Sequence, residues 1–226
     1  MSILLAIETT ERFGSVALLN DSVLLSETAL PHDRRSTQTL APAMNDILRR
    51  SGVRPQQVDT VAAVVGPGSF TGLRTGISAA KVFAYAVGAK IVAVNTFETL
   101  AAAVAEQPEP PKFLTAGVDA QRGEVAVQTF RYNCSEYEPF DASALLPLAD
   151  WLKQAEEKPD LFYTGPALER YRGKMFGVQL TEEKFWFPQA SAAGKLALNK
   201  QAAETPFSLL PLYSRLSAAE ERLTAS

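Results

Sequence analysis

Apolar residues gather in short runs along the first hundred positions, and the period of the runs changes along the chain. Ile3 to Ile7 is continuous, the pattern of a strand covered on both faces. Ser15 to Leu19 and Val23 to Leu25 follow, parted by the turn residues Asn20, Asp21 and Ser22, so a meander of antiparallel strands is expected. From Ser36 to Ser51 the period lengthens. Leu40, Met44, Ile47 and Leu48 make the one-sided stripe of an amphipathic helix, with Pro42 near its start and Gly52 as its stop. Val58 to Val65 is again a strand and runs into a glycine-rich turn, Gly66 to Gly72. A helix is expected from about Leu73 to Ala86, ending at Gly88, then a strand over Ile91 to Val94 and a helix capped by Asn95 or Thr96. This alternation of strand and helix predicts parallel pairing.

Gln107-Pro108-Glu109-Pro110-Pro111 interrupts every regular pattern and is the expected boundary between two lobes, 1–106 and 107–213. Beyond it the opening order returns. Ile3 to Ile7, Glu8, Gly14 and Val16 to Leu19 are matched by Phe113 to Val118, Asp119, Gly123 and Val125 to Phe130. Strand, acid, glycine, strand in both halves is the trace of a duplicated fold. Further on, Leu161 to Tyr163 is an expected strand and Ser191 to Lys200 an expected helix. Pro206 to Tyr213 should be extended, and Ser217 to Glu220 has the capping-box pattern that starts a terminal helix. No pattern is assigned between Tyr132 and Lys158.

Composition narrows the function classes. Lys and Arg total 22 against 25 Asp and Glu, a net charge of −3, so the basic excess of a stand-alone nucleic-acid binder is missing. Arg34-Arg35 and Arg49-Arg50 are small basic spots whose default reading is solvated surface. The one cysteine, Cys134, rules out an internal disulfide and a cysteine-built zinc site. The start lacks the basic region of a signal peptide, and no apolar run approaches the roughly 20 residues of a membrane span, so the expected location is the cytoplasm. The one histidine, His32, leaves a histidine-type metal centre without its second imidazole.

The sharpest local feature is the turn containing Gly66, Gly68, Ser69, Thr71 and Gly72. It lacks the Lys-Ser/Thr pair of a P-loop. It can either aim N–H groups at an anion or simply turn a strand into a helix capped by Ser69 or Thr71. In the following helix, Gly72, Gly76, Ala80 and Ala84 recur every four residues. Small side chains there let another backbone approach, either the protein's own sheet or a partner helix.

Val64-Val65-Gly66-Pro67-Gly68-Ser69-Phe70-Thr71-Gly72-Leu73-Arg74-Thr75-Gly76 closely resembles the signature of the bacterial TsaB (YeaZ) family. Leu5 to Thr10, Asp119 to Val125 and Pro211 to Arg215 resemble other stretches of it. The resemblance implies an α/β, two-lobed actin-like ATPase (ASKHA, ribonuclease H-like) fold made from a duplicated β-meander plus helices, with 214–226 packing back onto the first lobe. It also implies a role in making threonylcarbamoyladenosine beside the tRNA anticodon, as a non-catalytic scaffold for the catalytic paralogue TsaD, with TsaE as a third member. ATP and metal would belong to those partners, with tRNA met through the complex and a homodimer possible in isolation. The implied contact is a bundle of the first two helices, for which Leu40, Met44, Ile47, Leu73, Gly76, Ala80 and Phe83 are the candidate positions. Gly66, Gly68, Ser69, Thr71, Gly72 and Arg74 form the signature loop. A nucleotide-dependent phosphotransferase or a peptidase of the same fold is the alternative.

Overall fold

The computed structural model describes residues 2–215. Strands β1 (Ile3–Glu8), β2 (Ser15–Asn20) and β3 (Val23–Ala29) form the expected antiparallel meander. Helix α1 (Ser36–Arg50) leads to β4 (Val58–Gly66), which joins β1 in parallel. After α2 (Phe70–Val87), β5 (Lys90–Asn95) joins β4, giving a sheet of order β3-β2-β1-β4-β5.

The second sheet repeats this plan. After α3 (Thr96–Ala105), β6 (Phe113–Gln121) pairs antiparallel with β7 (Glu124–Tyr132), which takes β8 (Tyr137–Pro139) and β9 (Ala144–Pro147) on its far side. Following α4 (Leu148–Glu157), β10 (Phe162–Thr164) joins β6 in parallel. Past α5 (Ala167–Tyr171), β11 (Gln179–Leu180) joins β10. A meander followed by two parallel strands therefore occurs twice, and β6 and β7 are the counterparts of β1 and β2.

Alternation along the central strands explains why their apolar runs are continuous. In the first sheet Leu5, Ile7, Val16 and Leu18 face α1 and α2, while Leu4, Ala6, Ala17 and Leu19 face α6 (Ala190–Ala197). In the second, Leu114, Ala116 and Val118 pack on α3, and Val125, Val127 and Trp151 gather on the side of α4 and α5.

Two helices lie between the sheets and pack across the division expected at 107. Helix α3, from the first stretch, buries Phe97, Leu100 and Val104 against the second sheet. Helix α6, from the second stretch, buries Ala190, Ala193 and Ala197 against the first. The physical reason lies in what each sheet leaves bare, because a face covered by its own lobe's helices on one side needs a further helix on the other. The expected terminal helix at Ser217 to Glu220 lies outside the described residues, as does most of 214–226.

Candidate functional site

The end of β1, the turn after β4 and the start of α2 form one tightly joined unit. Glu8 is fully buried, and its Oε1 accepts from both the N–H and the hydroxyl of Thr10, each at 2.5 Å. Its Oε2 has no hydrogen-bond partner among the described residues. Burial pushes the carboxyl up to about 8, with Glu27 adding repulsion, and the two Thr10 bonds only partly oppose this. Glu8 is therefore a neutral acid at pH 7.

Thr9 and Thr10 tie this strand end to the glycine-rich turn. Ser69 N–H donates to Thr10 O at 2.6 Å, and the Thr9 hydroxyl donates to Gly72 O at 2.8 Å. A Cβ at Gly72 would collide with Thr9 O, and one at Gly76 with Thr9 Oγ1. The turn's glycines thus serve a close approach of helix to strand, and Gly66 adds a φ of 121° that suits only glycine. Ser69 caps α2 by accepting from Gly72 N–H at 3.3 Å, so the helix begins at Phe70, three residues earlier than the apolar pattern predicts. Gly68 lies against Thr10, and Thr71 is exposed.

Arg74 lies over the Phe70 ring at 4.0 Å and donates from Nε to Tyr213 Oη at 3.1 Å, while Tyr213 stacks on Phe70 at 4.4 Å. The segment carrying Tyr213 is pinned where Leu212 N–H donates to Val65 O at 2.6 Å. It then crosses to the second lobe, where Arg215 donates to Ala120 O at 3.2 Å and pairs with Glu124 at 3.3 Å. Between the lobes lies a cavity of about 490 Å³, lined by Glu11, Ser69, Phe70, Asp119, Tyr213 and Arg215 among others. Glu11, half-buried there, is pushed up to about 8 by burial first and then by Glu8, Asp119 and Glu169.

The expected partner-facing positions need correction. Leu40, Met44, Ile47, Leu73, Gly76 and Ala80 are all buried, and the five with apolar side chains share one core with Leu5, Ile7 and Val61. Phe83 is half-buried against the same core. An amphipathic stripe marks the side a helix buries, and here the protein's own sheet takes that side. The outward face of α2 is a different set: Arg74, Ser78, Val82 and Tyr85, at helical spacing. Val82 is 67% and Tyr85 69% exposed, and Tyr85 meets Phe207 (61% exposed) at 5.4 Å. Val82 and Tyr85 stand in the sequence three apart, opposite the small-residue stripe, which is the signal that marks them. Glu11, Thr10 and Tyr213 carry no such signal, because only chain closure brings them together.

Paired sheets of meander-plus-parallel plan, helices between them, and an acid at or near the end of each first strand define the two-lobed actin-like ATPase architecture. Residues 25–213 match the family model for TsaD, tRNA N6-adenosine threonylcarbamoyltransferase. The chain belongs to that family, and within it to the TsaB (YeaZ) branch. It is 28% identical over 225 residues to the tRNA threonylcarbamoyladenosine biosynthesis protein TsaB of Bacillus subtilis, covering 97% of this chain and 96% of the relative. The Escherichia coli TsaB is 36% identical over 122 residues, 54% of this chain and 52% of the relative. YeaZ from Pseudomonas aeruginosa superposes with a TM-score of 0.77 at 27% identity, covering 94% of this chain and all of that one (100%).

Proposed function

We propose that this protein acts in tRNA threonylcarbamoyladenosine biosynthesis as a non-catalytic scaffold that binds a TsaD-type threonylcarbamoyltransferase. The observation that carries this reading is the apolar seam on the outer face of α2, Val82 and Tyr85 joined by Phe207, exposed on a chain of ordinary charge content. Aromatic and aliphatic groups gathered on one helix face are what a protein partner buries.

The state of the cleft supports the scaffold role. A nucleotide with magnesium needs an ionised acid at the end of the first strand, in reach of the metal's water shell. Glu8 is sealed inside the first lobe, hydrogen-bonded to Thr10 and raised to about 8, so it offers the cleft no carboxylate. ATP and metal then belong to the partners, TsaD and a TsaE-type ATPase, with tRNA held by the assembled complex. In isolation the same seam would pair two copies of this chain. Among the described residues no helix is long and apolar enough to cross a membrane, and the reading places the complex in the cytoplasm.

The test is co-expression with the cognate TsaD followed by size-exclusion chromatography. The two chains should co-elute, and Val82→Asp with Tyr85→Asp should separate them while leaving the melting temperature within a few degrees. A charge on a buried interface commonly costs several kcal/mol, and the same residues are solvated in the free chain. Failure of the unaltered chains to co-elute, or carbamoyl transfer by this chain alone, would refute the proposal.

A further inference from the structure

A second cavity, of about 710 Å³, opens in the first lobe between the loop after β1, the segment before α1 and the start of α2. Its wall carries Arg12, His32, Arg34 and Arg35, with the hydroxyls of Ser36, Thr37, Ser69 and Thr71 between them. Glu11 is the one acidic residue on that wall; Asp33, next to His32 in the chain, does not line it. Burial first, with the acids Glu8, Asp119 and Glu169 nearby, raises Glu11 to about 8, which weakens its negative charge on this wall. Arg12 is engaged with Glu169 at 2.7 Å and lies over the Phe13 ring. Arg34 and Arg35 make no ion pair with any described residue. In the other basic pair of this helix region, Arg49 and Arg50 share the one carboxylate of Asp46, each at 2.9 Å. In a chain of net charge −3, Arg34 and Arg35 are therefore two adjacent cations on a concave wall with no ion pair among the described residues.

We propose that this groove is a binding site for a phosphate group, held by the guanidinium groups of Arg34 and Arg35 with the neighbouring hydroxyls as donors. Planar guanidinium forks match phosphate oxygens two at a time, and here both guanidinium groups are exposed and open to a ligand from solvent. The phosphate has two possible sources, a free phosphate-bearing small molecule or the backbone of an RNA strand, and they share this chemistry. The site stands apart from the seam on α2 and is independent of the scaffold proposal.

Full-length protein is titrated with inorganic phosphate, followed by amide chemical shifts, and separately with a short RNA stem-loop, followed by fluorescence anisotropy. Shifts confined to residues around 31–37 and 69–72 are expected. R34E with R35E should weaken binding at least ~10-fold and reduce the salt slope for RNA by about 2. R49E with R50E, at the other end of α1, should leave both unchanged. Competition of phosphate with RNA in the millimolar range assigns a free-phosphate site. RNA binding that is sensitive to R34E/R35E but not displaced by phosphate assigns the strand. If R34E/R35E fails to fold, R34Q with R35Q replaces it with the same expectation. No binding of either probe, or equal weakening by R49E/R50E, overturns the proposal.

Discussion

Glu8 and Asp119 stand at matching places in two copies of one strand pattern, yet their surroundings have nothing in common. Glu8 is shut inside the first lobe, raised to about 8, and held chiefly by Thr10, two residues away. Asp119 opens onto the cleft. Its Oδ1 accepts from Gln121 N–H at 2.8 Å and lies 3.4 Å from Tyr171 Oη, and its Oδ2 pairs with Arg170 at 3.1 Å. The loop between β1 and β2 runs from Thr9 to Gly14 and folds over its acid. The turn between β6 and β7 is only Arg122-Gly123 and leaves its acid uncovered. Duplication conserves the strand plan, and the connecting loop then decides whether an acid becomes part of the core or part of a surface.

Removing each side chain should expose this asymmetry most strongly. Glu8→Ala leaves two buried donors of Thr10 without an acceptor and opens a void, for which about 3–5 kcal/mol of lost stability is expected. Asp119→Ala gives up an ion pair whose arginine is 66% exposed, one turn bond and the long contact with the Tyr171 hydroxyl, for which about 1 kcal/mol is expected. Urea denaturation of both variants measures the difference, and equal losses would mean that Glu8 is hydrated in solution.

The second contrast is in pH dependence. The folded-state value of Glu8 is raised from 4.5 to about 8, so the folded protein holds a proton that the unfolded chain has already released. Its contribution is fully present below about pH 4.5 and is lost as pH rises through 8. Stability, and with it the melting temperature, should therefore fall across that interval, by on the order of 5 kcal/mol if Glu8 acts alone. Glu11 titrates in the same window and steepens the fall. Glu8→Gln imitates the protonated acid and should flatten its share of the slope, whereas Asp119→Asn should not. A slope unchanged by Glu8→Gln would assign the titration elsewhere.

Much of the architecture was legible in the sequence, because the signals are periodic. The continuous run Ile3 to Ile7 called for helices on both faces, and both are present. The repeated order of strand, acid, glycine and strand foretold the second sheet. Helix α4 was missed although Leu148, Trp151, Leu152 and Ala155 form a helical stripe, since the short strands β8 and β9 before it offer no pattern of their own. The candidate site was less legible for a different reason. The stripes of Leu40-Met44-Ile47 and Gly72-Gly76-Ala80 mark buried sides, but no periodicity says whether the cover is the same chain or another. Nor does a strand-end acid announce its burial. That depends on Thr10 reaching back and on Ser69 and Gly72 arriving from some 60 residues away.

The smallest predicted effect tests whether the two acids' neighbourhoods sense each other across the cleft. Asp119→Asn keeps an oxygen for Gln121 N–H and a partner for the Tyr171 hydroxyl, and removes only the charge facing Arg170. Arg170 is 66% exposed, so stability should change by no more than about 0.5 kcal/mol. The informative reading lies on the other lobe. Repulsion from Asp119 is one cause of the raised Glu11 value, after burial and Glu8, and it acts from the second sheet onto a residue of the first. Neutralising Asp119 should lower the Glu11 midpoint from about 8 while leaving Glu8, for which Asp119 is not among the causes, where it stands. Carboxyl ¹³C titration of the variant resolves the two. A Glu11 midpoint that does not move would mean that the lobes stand farther apart in solution than the Arg215 contacts to Ala120 and Glu124 hold them here.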